Sequence, residues 1–176
     1  MPSYTPTNEP TDITVIGAGL AGSLISILLA RRGHRVQLFE RFADMRRTPI
    51  PAGRSINLAL AARGIRALEL AGVMPSVLPL LIPMRGRMLH AQDGSLNFLP
   101  YGQREHEVIY SISRPGLNRV LLDAAESAGV TIHFGRALEA ADLQARELKF
   151  AGDATRIPMK RVIGADGAGS VLRYAL

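Results

Sequence analysis

Two glycine-rich turns, each preceded by an apolar strand-like run, have the composition needed to hold a nucleotide phosphate. Residues 17–22 read Gly-Ala-Gly-Leu-Ala-Gly, and residues 164–170 read Gly-Ala-Asp-Gly-Ala-Gly-Ser. A turn of the first kind, between a strand and a helix, brings backbone N–H groups and the positive end of the helix dipole to a pyrophosphate. Two such turns near the two ends of the chain predict a dinucleotide cofactor.

The three glycines of the first turn have separate tasks. Gly17 permits the tight turn, Gly19 lets a pyrophosphate approach the backbone, and Gly22 lets the following helix lie close to the strand. Glu40 ends the next predicted strand, 18 residues after Gly22, where a carboxylate can accept hydrogen bonds from ribose hydroxyls. This acid favours the unphosphorylated ribose of FAD or NAD over that of NADP, and it does not separate FAD from NAD.

Hydrophobic periodicity and turn residues predict the elements that position these groups. The predicted helices are residues 20–32, 61–70 and 114–128. The predicted strands are residues 12–16, 35–39, 107–112, 130–134 and 161–164, with a weaker strand pair between residues 137 and 159. Gly33 and Gly129 are expected to end two of the helices, and Ser113 is expected to cap the helix that begins at residue 114.

Residues 85–99 are predicted to form a hairpin, because Asp93-Gly94 is a strong turn dipeptide. A three-residue loop at 93–95 would place Arg87 opposite Tyr101 on one face. A two-residue loop would send the Tyr101 side chain to the other face. We predict the three-residue loop, with Gly94 at positive φ.

The composition fits a globular α/β domain: 176 residues, 47% hydrophobic and 20% charged. The net charge is +6, but the basic residues are scattered and form no stripe, which argues against a nucleic-acid partner. The absence of Cys excludes disulfides, thiolate metal sites and a cysteine nucleophile. The four histidines show no metal-ligand spacing, so we predict no metal site.

Residues 13–30 carry no charged side chain over 18 positions, which approaches the length of a membrane span. Glycines interrupt this run and its first part is β-branched, so we predict a strand, a turn and a buried helix instead. Residues 1–11 contain Pro2, Pro6 and Pro10 among polar residues and are predicted to be a flexible tail. We expect a soluble, cytoplasmic protein with no membrane segment in this sequence.

The residues around the second turn point to a family. Residues 162–173, Val-Ile-Gly-Ala-Asp-Gly-Ala-Gly-Ser-Val-Leu-Arg, resemble the Asp-Gly motif of the single-component aromatic-ring flavin hydroxylases. In that family the motif supports the FAD pyrophosphate region and bears on NADPH binding. The segments that narrow the resemblance to the branch acting on L-kynurenine are residues 53–60, 82–88, 99–102 and 111–118. The resemblance runs from about residue 13 to residue 173.

The resemblance implies an α/β, Rossmann-like FAD-binding fold with an inserted β-hairpin and sheet portion. Residues 12–176 would form the FAD-binding domain, and residues 76–112 would contribute the start of a substrate-binding sheet. Such hydroxylases have a further Gly-Asp motif and additional pocket-closing elements, which this sequence lacks. We therefore expect an incomplete fold, an N-terminal fragment of a longer protein that is not active alone.

The same resemblance implies FAD as the cofactor, NADPH as the co-substrate and L-kynurenine as the substrate, converted to 3-hydroxykynurenine. Arg87 and Tyr101 would hold the amino-acid end of the substrate, with Arg87 on its carboxylate. The residues placed against FAD are Gly17, Gly19, Ala21, Gly22, Glu40, Arg41, Arg54, Ala59, Arg114, Leu138, Asp166 and Gly167. No side chain is assigned a catalytic acid–base role, because the flavin carries the chemistry.

Two other interpretations stay open. The chain could belong to a related flavin hydroxylase of another aromatic acid. It could also be a truncated flavin-binding module without catalytic activity.

Overall fold

The computed structural model describes residues 11–47, 57–104 and 106–176. The predicted tail therefore lies outside the described residues except for Thr11, and so does the predicted FAD residue Arg54. The chain divides into two compact units. The first unit is Met1–Ile50 with Leu121–Leu176, and the second unit is Pro51–Val120.

The secondary structure alternates strands and helices along the chain. The helices are α1 (Leu20–Ala30), α2 (Ala62–Leu70), α3 (Met74–Val77), α4 (Arg114–Ser127) and α5 (Val171–Ala175), with a short 3-10 turn at Leu78–Leu80. The strands are β1 (Asp12–Ile16), β2 (Arg35–Phe39), β3 (Asn57–Leu60), β4 (Ile82–Met84), β5 (Gly86–His90), β6 (Leu96–Pro100), β7 (Ile109–Ser113), β8 (Thr131–His133), β9 (Leu138–Asp142), β10 (Glu147–Phe150), β11 (Ile157–Pro158) and β12 (Val162–Gly164).

The first unit is built on a parallel sheet with strand order β12-β1-β2-β8. The side chains of Val15 and Leu38, which lie opposite each other in its central strands, are fully buried. Arg35 and Gln37 of β2 are exposed, so the face that carries Val15 and Leu38 is the covered one. The predicted strand–helix–strand unit at the start of the chain is confirmed, and Gly33 adopts φ +86° just after α1. A second sheet, β11-β10-β9, is antiparallel.

The two sheets of the first unit share one apolar cluster. Its buried members are Ile16, Phe39, Leu148 and Phe150. The Phe39 ring stacks on Phe150 with ring centroids 4.5 Å apart, so the end of β2 is held against β10. The antiparallel sheet has three strands where the sequence predicted a pair, because the two-residue strand β11 is too short to leave a periodic signal.

The second unit contains the antiparallel sheet β3-β7-β4 and the separate hairpin β5-β6. Strand β7 begins at Ile109, two residues later than predicted. Ser113 ends this strand, and its hydroxyl accepts a hydrogen bond from Gly116 N at 3.3 Å. The predicted cap at the start of α4 is therefore confirmed, and Gly129 follows the helix with φ +88°.

The predicted hairpin register is wrong by two residues. Arg87 pairs with Leu99 instead of Tyr101, and Tyr101 N donates to the carbonyl of Arg85 at 3.0 Å. The loop does have three residues and Gly94 does adopt positive φ, +83°, but the loop is 92–94 because Ala91 N bonds Ser95 O. A three-residue hairpin loop places its left-handed residue last, which requires Gly94 at the third position.

The charge-free run at residues 13–30 forms β1, the first turn and α1. Within the three described ranges, none of the helices combines the length and apolar character that crossing a bilayer requires.

Asp12 anchors the start of the parallel sheet. Its Oδ1 accepts from Arg35 Nε at 2.5 Å, and its Oδ2 accepts from Lys160 Nζ at 2.6 Å. These two hydrogen bonds lower the pKa of Asp12 from 3.8 to about 2, and the one from Arg35 has the larger effect. Because the pKa of Asp12 is lower in the folded protein than in the unfolded chain, its ionised carboxylate stabilises the folded state. This stabilisation is complete above the pKa of the unfolded state and is lost as the pH falls through the pKa of the folded state.

We predict that the stability difference between the wild type and Asp12→Asn shrinks as the pH is lowered from about 4 to about 2. Denaturant unfolding at a series of pH values measures this difference. Since Asn carries no charge, its own stability should not fall through the titration of this position. A difference that stays constant across that range would contradict the assignment.

Candidate nucleotide-binding site

The two glycine turns lie side by side. Strands β1 and β12 are parallel neighbours, with Ile16 opposite Gly164. Immediately beyond this pair, Ala165 N donates to Ile16 O at 2.7 Å. Both turns therefore leave the same edge of the sheet, at the carboxyl ends of parallel strands, where open α/β sheets bind their ligands.

Close backbone contacts, one with the second turn and one within the first turn, explain two of the three glycines in the first turn. Gly17 has φ +99°, and a Cβ there would lie 2.5 Å from the carbonyl oxygen of Ala165. A Cβ on Gly22 would lie 1.8 Å from the carbonyl oxygen of Gly17. Any side chain at either position would collide with backbone, so the predicted tasks of Gly17 and Gly22 are confirmed.

Gly19 is different, because its surroundings are open. A Cβ there would meet nothing within 4 Å, and its φ of −69° is accessible to every residue. Packing among the described residues therefore does not require glycine at this position. The free space above Gly19 fits the predicted approach of a pyrophosphate to the backbone.

Helix α1 presents its N-terminus to that open side. Gly19 is its N-cap, and in the described part of the chain no side chain caps it. The first turn contains no acidic residue, and Ala21 is exposed there. The N–H groups of this turn and the helix dipole are thus available to an anionic ligand.

Glu40 is buried next to the first turn, with only 6% of its surface exposed. Its Oε2 accepts from Ala18 N at 2.8 Å, and its Oε1 accepts from Phe42 N at 3.0 Å. Each carboxylate oxygen can accept a further hydrogen bond, which is the capacity that contact with a ribose hydroxyl requires. The link from Glu40 to the backbone of the first turn was not predicted from the sequence.

The ring of Phe39, the residue before Glu40, packs against β8. It is stacked on His133 with centroids 4.4 Å apart, and Glu40 N donates to the carbonyl of His133 at 2.9 Å. The pKa of His133 is lowered mainly by burial of the imidazole and, to a smaller extent, by the positive charge of Arg136. The imidazole is therefore neutral at pH 7, which suits its stacked position.

Asp166 reaches across the second turn. Its Oδ2 accepts from Val171 N at 2.9 Å, whereas its Oδ1 is buried without a hydrogen-bond partner among the described residues. Gly167, the next residue, has φ +83°. A buried carboxylate oxygen without a donor is costly, so this atom is suited to a hydroxyl or N–H group of a bound ligand.

Two further predicted FAD residues of the first unit lie near β2. The Arg41 guanidinium lies 4.6 Å from the ring centroid of Phe42. Leu138 lies on β9, and its side chain packs against the apolar cluster of the two sheets. Its side chain is thus accounted for by core packing, and the role of both residues toward FAD stays a prediction.

The remaining predicted residues belong to the second unit. Ala59 on β3 pairs with Ser111 on β7, and Arg114 is the exposed first residue of α4, directly after β7. Arg87 and Tyr101 stay on the same face of the hairpin because the register error is an even number of residues. The observed register adds Arg85, opposite Tyr101, which the sequence analysis missed.

The hairpin arginines are accessible to a ligand. Arg85 and Arg87 are both exposed, and neither forms an ion pair with a described residue. Tyr101 is 45% exposed. Together they present two guanidinium groups and a hydroxyl on one strand pair, a combination suited to a carboxylate.

Comparison with known proteins identifies the class of this site. The family model described as FAD binding domain matches residues 10–176. Kynurenine 3-monooxygenase of Stenotrophomonas maltophilia (strain K279a) is 48% identical over 168 residues, covering 93% of this chain and 37% of that protein. The Xanthomonas campestris pv. campestris (strain 8004) protein of the same name is 46% identical over 172 residues, with coverages of 96% and 38%. The chain thus spans less than half the length of these relatives.

Solved structures show the same fold at lower identity. The tetrameric form of 2-methyl-3-hydroxypyridine-5-carboxylic acid oxygenase matches with a TM-score of 0.79 and 24% identity, covering 95% of this chain and 42% of that one. The p-nitrophenol 4-monooxygenase PnpA from Pseudomonas putida DLL-E4 matches with a TM-score of 0.74 and 18% identity, with coverages of 94% and 43%. The predicted flavin-hydroxylase type of α/β fold is confirmed.

The contrast between Gly17 and Gly19 gives a matched pair of variants. Gly17→Ala should lower the free energy of unfolding by about 2–3 kcal/mol, because the new Cβ is strained and meets the second turn. Gly19→Ala should cost less than about 1 kcal/mol, since the position is open and only the N-cap preference changes. Denaturant unfolding measures both values.

Gly19→Ala should nevertheless weaken FAD binding, because its methyl group occupies the space predicted for the pyrophosphate. Titration of the apoprotein with FAD, followed by flavin fluorescence, tests this. Equal FAD affinity in Gly19→Ala and the wild type would contradict the predicted position of the phosphates.

Proposed function

Because this chain belongs to the FAD-binding domain family, we propose that it forms the FAD-holding part of an NADPH- and O₂-using hydroxylase of L-kynurenine. The observation that carries the proposal is the convergence of the two glycine turns on one open edge of the parallel sheet. Identities of 46–48% to kynurenine 3-monooxygenases over nearly the whole chain support the choice of substrate.

The residues of the first unit fit a dinucleotide. The open space at Gly19 and the free N–H groups of α1 suit the pyrophosphate. Glu40 suits the adenosine ribose, and the unpartnered Oδ1 of Asp166 suits a hydroxyl or N–H donor. When bound, FAD supplies the redox and oxygen chemistry of the hydroxylation.

The protein's own contribution is then binding and orientation. Arg87 would pair with the substrate carboxylate through its planar fork, and Tyr101 would add a directional hydrogen bond. Arg85 lies opposite Tyr101 and adds a second positive charge on the same strand pair. Holding the amino-acid end at two groups would restrict the orientation of the substrate's aromatic ring.

The proposed substrate is tested with the complete gene product. L-kynurenine should stimulate NADPH oxidation and yield 3-hydroxykynurenine, one NADPH and one O₂ being consumed for each hydroxyl group added. A panel of other aromatic acids is the control. Turnover of a different aromatic acid without turnover of L-kynurenine would assign the protein to another flavin hydroxylase, and failure to retain flavin would exclude a hydroxylase.

Arg87→Ala should raise the Kd for L-kynurenine by about tenfold to a hundredfold, because a charge-assisted hydrogen-bonded pair is lost. FAD affinity should not change. Arg87→Lys should recover part of the substrate affinity, since it restores the charge without the bidentate fork.

Met88→Ala is the matched control for the hairpin. Met88 is the next residue of β5, is 48% exposed and points to the opposite face. The Met88→Ala substitution should leave the affinity for L-kynurenine unchanged. If Arg87→Ala binds L-kynurenine as tightly as the wild type, Arg87 is not the carboxylate partner.

A further inference from the structure

Arg46 is the centre of an ion-pair cluster in the first unit, which we call the Arg46 cluster. Its side chain is 15% exposed and contacts the carboxylates of Asp44, Asp123 and Glu126 at 2.8, 2.9 and 2.6 Å. Asp123 and Glu126 lie on α4. Asp44 and Arg46 lie in the segment that follows β2, so the cluster fastens this segment to the helix.

The hydrogen bonds of Arg46 leave no donor for a ligand. Nε donates to Asp44, one terminal nitrogen donates to Asp123 and Glu126, and the other donates to Asp44 and Glu126. All five N–H groups of the guanidinium are thereby used. Arg46 is therefore placed to hold protein groups together and not to bind a phosphate itself.

The charge of the cluster supports this view. A cavity of about 510 Å³ next to Arg46 is lined by three carboxylates, Asp44, Asp123 and Glu126, against two guanidinium groups, Arg46 and Arg47. The balance of these lining groups is one net negative charge, which disfavours a phosphate. The hydrogen bonds from Arg46 also lower the pKa values of Asp44 and Glu126, so both carboxylates stay ionised at neutral pH.

The segment held by the Arg46 cluster begins at the predicted ribose ligand. At its start, the Glu40 carbonyl accepts from Arg136 N at 2.7 Å, and the Phe42 carbonyl accepts from Gly135 N at 2.8 Å. Phe42 N in turn donates to the Glu40 carboxylate. The start of residues 40–47 is thus fixed by backbone bonds at Glu40 and Phe42, on either side of Arg41, and the end is fixed by the Arg46 side chain.

We propose that Arg46 is a positioning residue for FAD. By holding residues 44–47 on α4, it keeps Phe42 N on the Glu40 carboxylate and keeps Arg41 beside the adenosine half of the cofactor. The inference rests on the proposed FAD site. It goes beyond that site because Arg46 acts through Glu40 and Arg41 and has no free donor of its own.

The test compares FAD with FMN, which lacks the adenosine half. Apoprotein of the complete gene product is titrated with each flavin and followed by fluorescence. Arg46→Ala should raise the Kd for FAD by about tenfold, the range expected for breaking one such network, and should leave the Kd for FMN within about twofold of the wild type. A general loss of structure would instead weaken both flavins.

Arg47→Ala is the matched control. Its side chain is 87% exposed and approaches Asp44 only at 3.8 Å, so neither affinity should change. Glu126→Gln keeps the shape of an acceptor on α4 and should show a smaller loss that is again confined to FAD. It also supplies the answer if Arg46→Ala does not fold.

The outcomes separate the inference from the function on which it rests. If the wild type fails to bind FAD, the proposed function is wrong and the inference falls with it. If the wild type binds FAD but the cluster variants bind it equally well, or lose FAD and FMN affinity by the same factor, Arg46 has no positioning role.

Discussion

The rest of the first unit depends on the close contact between two backbone turns. Ala165 N bonds Ile16 O, and the carbonyl of Ala165 occupies the space where a side chain of Gly17 would lie. This contact joins two segments that are almost 150 residues apart along the chain. It also directs both turns toward one edge of the sheet, so that the open face at Gly19 and the unpartnered oxygen of Asp166 lie at that edge.

Glu40 extends this arrangement away from the turns. One carboxylate oxygen is held by the first turn, and the other by the segment after β2. The same segment ends in Arg46, which fastens it to α4. A predicted ligand of the ribose is therefore also a structural link, because the segment that its carboxylate binds is the one that Arg46 joins to α4.

The local elements could be predicted because neighbouring residues determine them. The first strand–helix–strand unit, the Ser113 cap and the positive φ of Gly94 all follow from periodicity and backbone preferences within a few residues. The hairpin register was predicted wrongly because the loop was placed at residues 93–95, with Gly94 in the middle, whereas the left-handed residue of a three-residue loop comes last. Arg87 and Tyr101 were still predicted on the correct, shared face, because side chains alternate between faces every two residues and the register error was two residues. Their direct neighbours were predicted wrongly, which is why Arg85 was missed.

The sequence by itself determined the backbone chemistry of the first turn, since Gly17 adopts a positive φ and a side chain on Gly22 would collide with the carbonyl of Gly17. It also carried the resemblance to flavin hydroxylases, which the family match supports. Only the tertiary structure decided which groups meet. Two of the three carboxylates that bind Arg46 are 77 and 80 residues away along the chain. The Oδ1 atom of Asp166 is shielded from water by the packing of the folded chain. Such pairings depend on how distant segments close on one another, and no periodicity or spacing in the chain encodes them.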